Sequence, residues 1–203
     1  MRDIILYATD TMADWEYGYL TAGLAMAAQQ EPERFRLRVL SDGPAEVRTA
    51  GRLRLLTDGD LGEVVEDQVA LLVLPGADTW TDGHDRVLGL AGDLVKKGTP
   101  VGAICGATYG LARSGLLDDR QHTSNAADFL APSGYAGAEH YLEQRVVDDG
   151  GVVTAPATAP VDFTAALFRR LALFPPQILD AWYGLYTTGE RRYYDALVGG
   201  SAA

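Results

Sequence analysis

Val101-Gly102-Ala103-Ile104-Cys105-Gly106-Ala107-Thr108-Tyr109-Gly110 decides how this chain is read. It is a short apolar run that reaches the single cysteine of the sequence and continues into helix-compatible residues. Ala103 and Ala107 stand two residues before and after the cysteine, with Gly106 directly behind it. That is the steric pattern of a strand-to-helix elbow, which projects a nucleophile from a sharp turn. A sulfur so placed faces the first amide N–H groups of the following helix, where the positive end of the dipole favours thiolate over thiol. A lone cysteine is also a common buried small hydrophobe, so the elbow pattern needs partners from elsewhere in the chain.

Immediately upstream, His84 to Lys97 reads as an amphipathic helix, ended by Gly98-Thr99-Pro100. Before it, Val69-Ala70-Leu71-Leu72-Val73-Leu74 is a continuous apolar run of the kind found in parallel strands covered on both faces. It runs into Pro75-Gly76-Ala77-Asp78, a turn that allows close backbone approach. Ile4 to Ala8 is a similar first strand, closed by Asp10-Thr11. Thr11 with Asp14 suggests a capping box for a helix over Ala13 to Gln30. Phe35 to Leu40 alternates apolar and basic residues as a strand with one wetter face. Val47 to Leu56 predicts a hairpin turned near Ala50-Gly51.

Downstream of the elbow, Ala112 to Leu117 finishes a helix, and Asp118-Asp119-Arg120 leads to Gln121-His122-Thr123-Ser124-Asn125. Arg145 to Thr154 reads as two strands joined by an Asp-Gly turn, and Phe163 to Leu173 as a helix. Strands alternating with helices predict an α/β sandwich with a mainly parallel sheet. One domain spans residues 1–174. Residues 175–203 form its C-terminal helical extension, whose Trp182, Tyr183, Tyr186, Tyr193 and Tyr194 suggest an aromatic face and a homodimer interface.

Over 203 residues, 17 Lys and Arg stand against 28 Asp and Glu, a formal net charge of -11. Such a field disfavours nucleic acid and anionic membranes as partners. One cysteine excludes an intramolecular disulfide, which together with the short first apolar run predicts an unprocessed cytoplasmic protein. The three histidines are far apart in sequence and no carboxylates fall at ligand spacing, so no metal is expected. No glycine-rich dinucleotide or P-loop pattern is present, so no organic cofactor is expected.

In open α/β sheets, ligands gather beyond the carboxyl ends of the strands. The segments leaving strands there carry Asp10 and Glu16, Pro75-Gly76-Ala77, and Cys105. With Asp14-Trp15-Glu16, Val73 to Ala77, Ala103 to Ala107 and Glu143 to Gly150, the chain from Ile4 to about Leu173 resembles the DJ-1/PfpI family of the class I glutamine amidotransferase-like superfamily. The resemblance implies a flavodoxin-like three-layer sandwich with a nucleophilic Cys105 at its elbow. It further implies a Glu16 carboxyl hydrogen-bonded to the thiol, kept protonated by an apolar pocket and a negative sulfur. The N–H of Gly106 with that of Gly76 or Ala77 would bind an oxyanion. Many relatives place a histidine after the elbow helix. Here Ser124 takes that position and His122 lies two residues earlier, about 6.6 Å along a strand, so His122 either reaches the site from a shifted register or stays outside it. His84 and His140 are expected at the surface. The resulting expectation is a cysteine-dependent hydrolase or lyase acting on a small carbonyl or amide compound, of amidase, peptidase, glyoxalase or deglycase type. A redox-responsive stress protein with an oxidisable Cys105 and a catalytically silent family member remain the alternatives.

Overall fold

Apolar runs pair into one sheet because a strand buried on both faces must satisfy its backbone groups laterally. In the computed structural model, which describes residues 1–200, the chain opens with β1 (Arg2–Tyr7). It is followed by α1 (Asp14–Ala28), β2 (Phe35–Ser41), a separate antiparallel hairpin of β3 (Glu46–Arg48) and β4 (Arg54–Leu56), and a short β5 (Gly59–Asp60). Next come β6 (Val69–Leu74), α2 (Asp85–Lys96), β7 (Val101–Ile104), α3 (Gly106–Arg113) and a single turn α4 (Ala127–Leu130). The chain closes with β8 (Val147–Asp149), β9 (Val152–Ala155), α5 (Pro160–Leu171), α6 (Pro176–Thr188) and α7 (Arg191–Gly200). The strand order is β5-β2-β1-β6-β7-β9-β8, and every pairing is parallel except that of β8 with β9. This is the predicted three-layer α/β sandwich.

Successive side chains of a strand face opposite layers, and the core divides accordingly. Ile4 and Leu6 of β1 pack with Leu20 of α1 and with Phe163 and Phe168 of α5. Ile5 and Tyr7 pack on the other face with Leu88 and Leu94 of α2 and Leu111 of α3. All six residues of β6 are buried, each large aliphatic side chain contributing about 1.5–3 kcal/mol. The β8–β9 connection turns through Gly150 and Gly151, both at positive φ.

Two expectations change. The Thr11–Asp14 capping box does not form: α1 begins after Ala13 without a side-chain cap. Thr11 Oγ1 instead accepts from the Asp78 N–H at 2.9 Å, and Asp14 Oδ2 accepts from the Gly51 N–H at 2.7 Å. The aromatic stripe of the C-terminal extension is split between core and surface. Trp182 is 2% exposed, edge-on to Phe168, while Tyr183, Tyr186 and Tyr194 stay on the surface. Within the described residues no helix is long and apolar enough to cross a membrane.

Candidate active site

Parallel pairing brings the carboxyl ends of β1, β6, β7 and β9 to one edge, and the distinctive residues collect there. Cys105 follows β7 at φ 58 and ψ -124, a conformation that costs a non-glycine residue about 1–3 kcal/mol. The surroundings hold it there. Its N–H donates to Ala155 O at 2.9 Å, and its carbonyl accepts from the Thr108 N–H and from Thr108 Oγ1. The Gly106 N–H, first of α3, faces the sulfur. Gly106 is a glycine for a steric reason: a Cβ there would lie 2.7 Å from Ala77 O.

Glu16 lies in the first turn of α1 and points inward, 1% exposed. Its Oε2 accepts from the Gly76 N–H at 2.6 Å, whereas Oε1 has no hydrogen-bond partner among the described residues. A Cβ on Gly76 would meet Cys105 Cβ at 2.7 Å, Sγ at 2.9 Å and Glu16 Oε2 at 2.9 Å. Thiol and carboxyl therefore converge on a patch that only a glycine hydrogen can cover. Burial pushes the Glu16 carboxyl up to about 7, against the pull of the Gly76 N–H and the thiol. Burial, and then the negative charge of Glu16, push the Cys105 thiol up to about 11, while donors on Asn125 and Gly106 pull the other way. Two negative charges in so small a volume exclude one another. The pair consequently holds a single proton over a wide range above neutrality.

Sequence reasoning left the second oxyanion donor open between Gly76 and Ala77. The Gly76 N–H is occupied by Glu16. The Ala77 N–H has no acceptor among the described residues, lies beside Gly106, and belongs to a residue outside the positive-φ set. Two amides, from Ala77 and Gly106, thus remain to meet a charge developing next to Sγ.

His122 is not brought to the thiol. It is fully buried, with Nδ1 against Arg120 O at 2.9 Å, Nε2 against Tyr135 Oη at 3.1 Å, and its ring edge-on to Tyr135 and Tyr141. Burial lowers its pKa below the usual imidazole value. Ser124 is also buried, its Oγ paired with Thr108 Oγ1 at 2.6 Å. The residue that does reach the sulfur is the next one. Asn125 Nδ2 donates to Sγ at 3.4 Å, and its Oδ1 accepts from the Ala157 N–H at 2.9 Å. The sequence signal for Asn125 was its adjacency to Ser124; the register of the loop decides which of the two faces the thiol.

The other histidines differ from one another. His140 is half-exposed beside Glu139. His84, expected at the surface, is half-buried at φ 62. Its ring stacks on Trp80 at 4.4 Å, with Nδ1 against Tyr7 Oη and Nε2 against Thr79 Oγ1. Above Cys105 an open cleft of about 370 Å³ is walled by Ala77, Trp80, Tyr109, Asn125 and Phe129. Among the described residues no group of three or more His, Cys, Asp or Glu side chains could hold a metal ion.

Residues 2–170 match the model of the DJ-1/PfpI family. The chain is 37% identical over 203 residues to a Bacillus subtilis protein named uncharacterized protease YoaZ, covering 97% of this chain and 96% of that one. Among solved structures it is similar to a thiJ/pfpI family protein from Bacillus anthracis, with TM-score 0.87 and 33% identity over 98% of this chain and 96% of that one. A DJ-1 superfamily protein from Agrobacterium tumefaciens, Atu0886, superposes with TM-score 0.80 at 31% identity, over 94% of this chain and 100% of the other.

Proposed function

This chain belongs to the DJ-1/PfpI family, and from that premise we propose that it is a cysteine-dependent enzyme in which Cys105 attacks the carbonyl carbon of a small aldehyde, ketone or amide. The observation that carries the reading is the convergence of the half-buried Cys105 thiol and the buried Glu16 carboxyl on Gly76, beside an Ala77 N–H that has no acceptor among the described residues and a Gly106 N–H that faces the sulfur. Moving the thiol proton from Sγ to the Glu16 carboxyl releases the thiolate without solvent taking part. As the S–C bond forms, the carbonyl π-electrons move to oxygen, which the Ala77 and Gly106 N–H groups receive.

With an aldehyde or ketone, Glu16 returns its proton to that oxygen and a neutral hemithioacetal or hemithioketal results. With an amide, the C–N bond breaks as the nitrogen takes the proton from Glu16. Water then hydrolyses the thioester, giving a carboxylic acid and the free thiol. The hydrolytic branch matches the word protease in the names of two Bacillus subtilis relatives. No imidazole takes part in either branch, because both nitrogens of His122 are engaged elsewhere.

The test is turnover of a panel of small aldehydes, amides and activated esters by the wild type and Cys105→Ser. Loss of about three orders of magnitude in kcat/KM is expected, and equal rates would overturn the proposal. Peroxide treatment followed by intact mass separates it from a redox-responsive role: a two-oxygen adduct on Cys105, with no turnover of any panel member, would replace the enzyme reading.

A further inference from the structure

Trp80 stands at the wall of the thiol cleft, yet it is only 2% exposed, and its contacts run to both halves of the oxyanion pair. Its Nε1–H donates to Pro75 O at 2.9 Å. That carbonyl belongs to the same planar peptide unit as the Gly76 N–H, which donates to Glu16. One peptide is therefore gripped at both ends, by an indole and by the carboxylate that shares the thiol's proton. The next carbonyl, Gly76 O, accepts from the Ala13 N–H at 2.9 Å. In a trans peptide the N–H points opposite to the C=O, so the Ala77 N–H is turned away from the start of α1, and its nitrogen lies beside Gly106.

The indole ring braces the other half. Cβ atoms on Gly106 and Gly110 would lie 3.2 Å and 2.5 Å from Trp80 ring atoms, so the first turns of α3 are seated directly on it. Trp80 is itself held from behind. His84 stacks on it at 4.4 Å with 28° between the planes, Tyr7 meets it edge-on at 5.9 Å, and Tyr7 Oη and Thr79 Oγ1 fix the two His84 nitrogens. His84 pays for this with a left-handed backbone, φ 62.

We infer that Trp80 is a positioning residue for carbonyl chemistry at Cys105: through Pro75 O on one side and α3 on the other it sets the separation and direction of the Ala77 and Gly106 N–H groups. This rests on the proposed nucleophilic role of Cys105. His84 acts one step further out, by holding the indole.

The probes are p-nitrophenyl acetate, whose attack by Cys105 builds an oxyanion, and iodoacetamide, which the same sulfur displaces without one. With the ester, the S–C bond forms, the C–O bond breaks and p-nitrophenolate leaves; with iodoacetamide, the S–C bond forms and iodide leaves. A single cysteine makes alkylation a report on Cys105 alone. Trp80→Phe keeps most of the ring and deletes the Nε1–H donor. We expect the p-nitrophenolate burst rate to fall about tenfold, below the 10²–10³ seen when an oxyanion donor itself is removed, with iodoacetamide alkylation within about twofold of wild type. His84→Ala, which leaves the Trp80–Pro75 bond in place, should fall between the two. Equal losses on both probes would mean that Trp80 shapes access or folding, and no loss on either would mean that the amides hold their direction unaided; each overturns the inference. A burst that survives Cys105→Ser would instead remove the underlying nucleophile.

Discussion

Glu16 and His122 are both buried titratable side chains near the same sheet edge, yet they are held in opposite ways. Each nitrogen of His122 has a partner, in Arg120 O and Tyr135 Oη, and the ring sits between two tyrosines. Glu16 has one oxygen satisfied and one bare, and beside it the Cys105 backbone is strained and the Ala77 N–H has no acceptor among the described residues. A fully partnered buried polar group is the usual structural solution. A cluster of unpartnered groups around a strained backbone marks the place where stability has been given up for chemistry. The contrast locates reactivity by what is missing, where residue type alone favoured the histidine.

The strongest way to break this comparison is Glu16→Gln. Burial holds the Glu16 carboxyl at about 7 in the folded protein, well above the ordinary carboxylate range near 4.5. Its burial is harmless below about pH 4.5, where the carboxyl is neutral in both states. It destabilises increasingly as pH rises toward 7, and the loss above that point is about 3 kcal/mol. Glutamine should therefore raise stability by about that amount in urea titrations at pH 8 and by little at pH 4. It should also erase the rise in Cys105 alkylation through pH 7, because the internal proton acceptor is gone. An equal gain at both pH values would show that charge is not the strain.

His122→Phe probes the other side. It strips partners from Arg120 O and Tyr135 Oη and should cost about 1–3 kcal/mol by chemical denaturation, with Cys105 alkylation changed less than about twofold. A tenfold drop in alkylation at unchanged stability would bring the imidazole into the thiol's chemistry. The smallest effect belongs to Asn125→Ala. Losing a long donor to Sγ raises the thiol pKa further and should slow alkylation at pH 8 by about threefold. A faster reaction would make Asn125 a shield and not a donor.

Much of this architecture was legible from residues alone. Val69 to Leu74 and Val101 to Ile104 could be read as strands because two-sided burial leaves an uninterrupted apolar run, and Cys105 stood out through the small residues that its turn requires. Glu16 was legible only through the family resemblance, since a glutamate in a first helical turn is ordinarily solvated. Asn125 was missed because the choice between residues 124 and 125 depends on loop register, which tertiary pairing of His122 with Tyr141 fixes. The burial of His84 rests on its stack with Trp80 and its left-handed backbone, neither of which leaves a local pattern. Trp182 belonged to an aromatic face that suggested an interface; α5 supplied the surface that covers it.

Helix α1 starts without a side-chain cap, and Gly76 supplies what is missing. Its carbonyl receives the Ala13 N–H, and its N–H meets the Glu16 carboxylate. This is a reciprocal cap whose halves lie sixty residues apart in sequence. Fraying at the start of α1 and release of Glu16 from Gly76 are consequently one event. The helix end that in most proteins opens first, at little cost to function, is here locked to the integrity of the reaction centre.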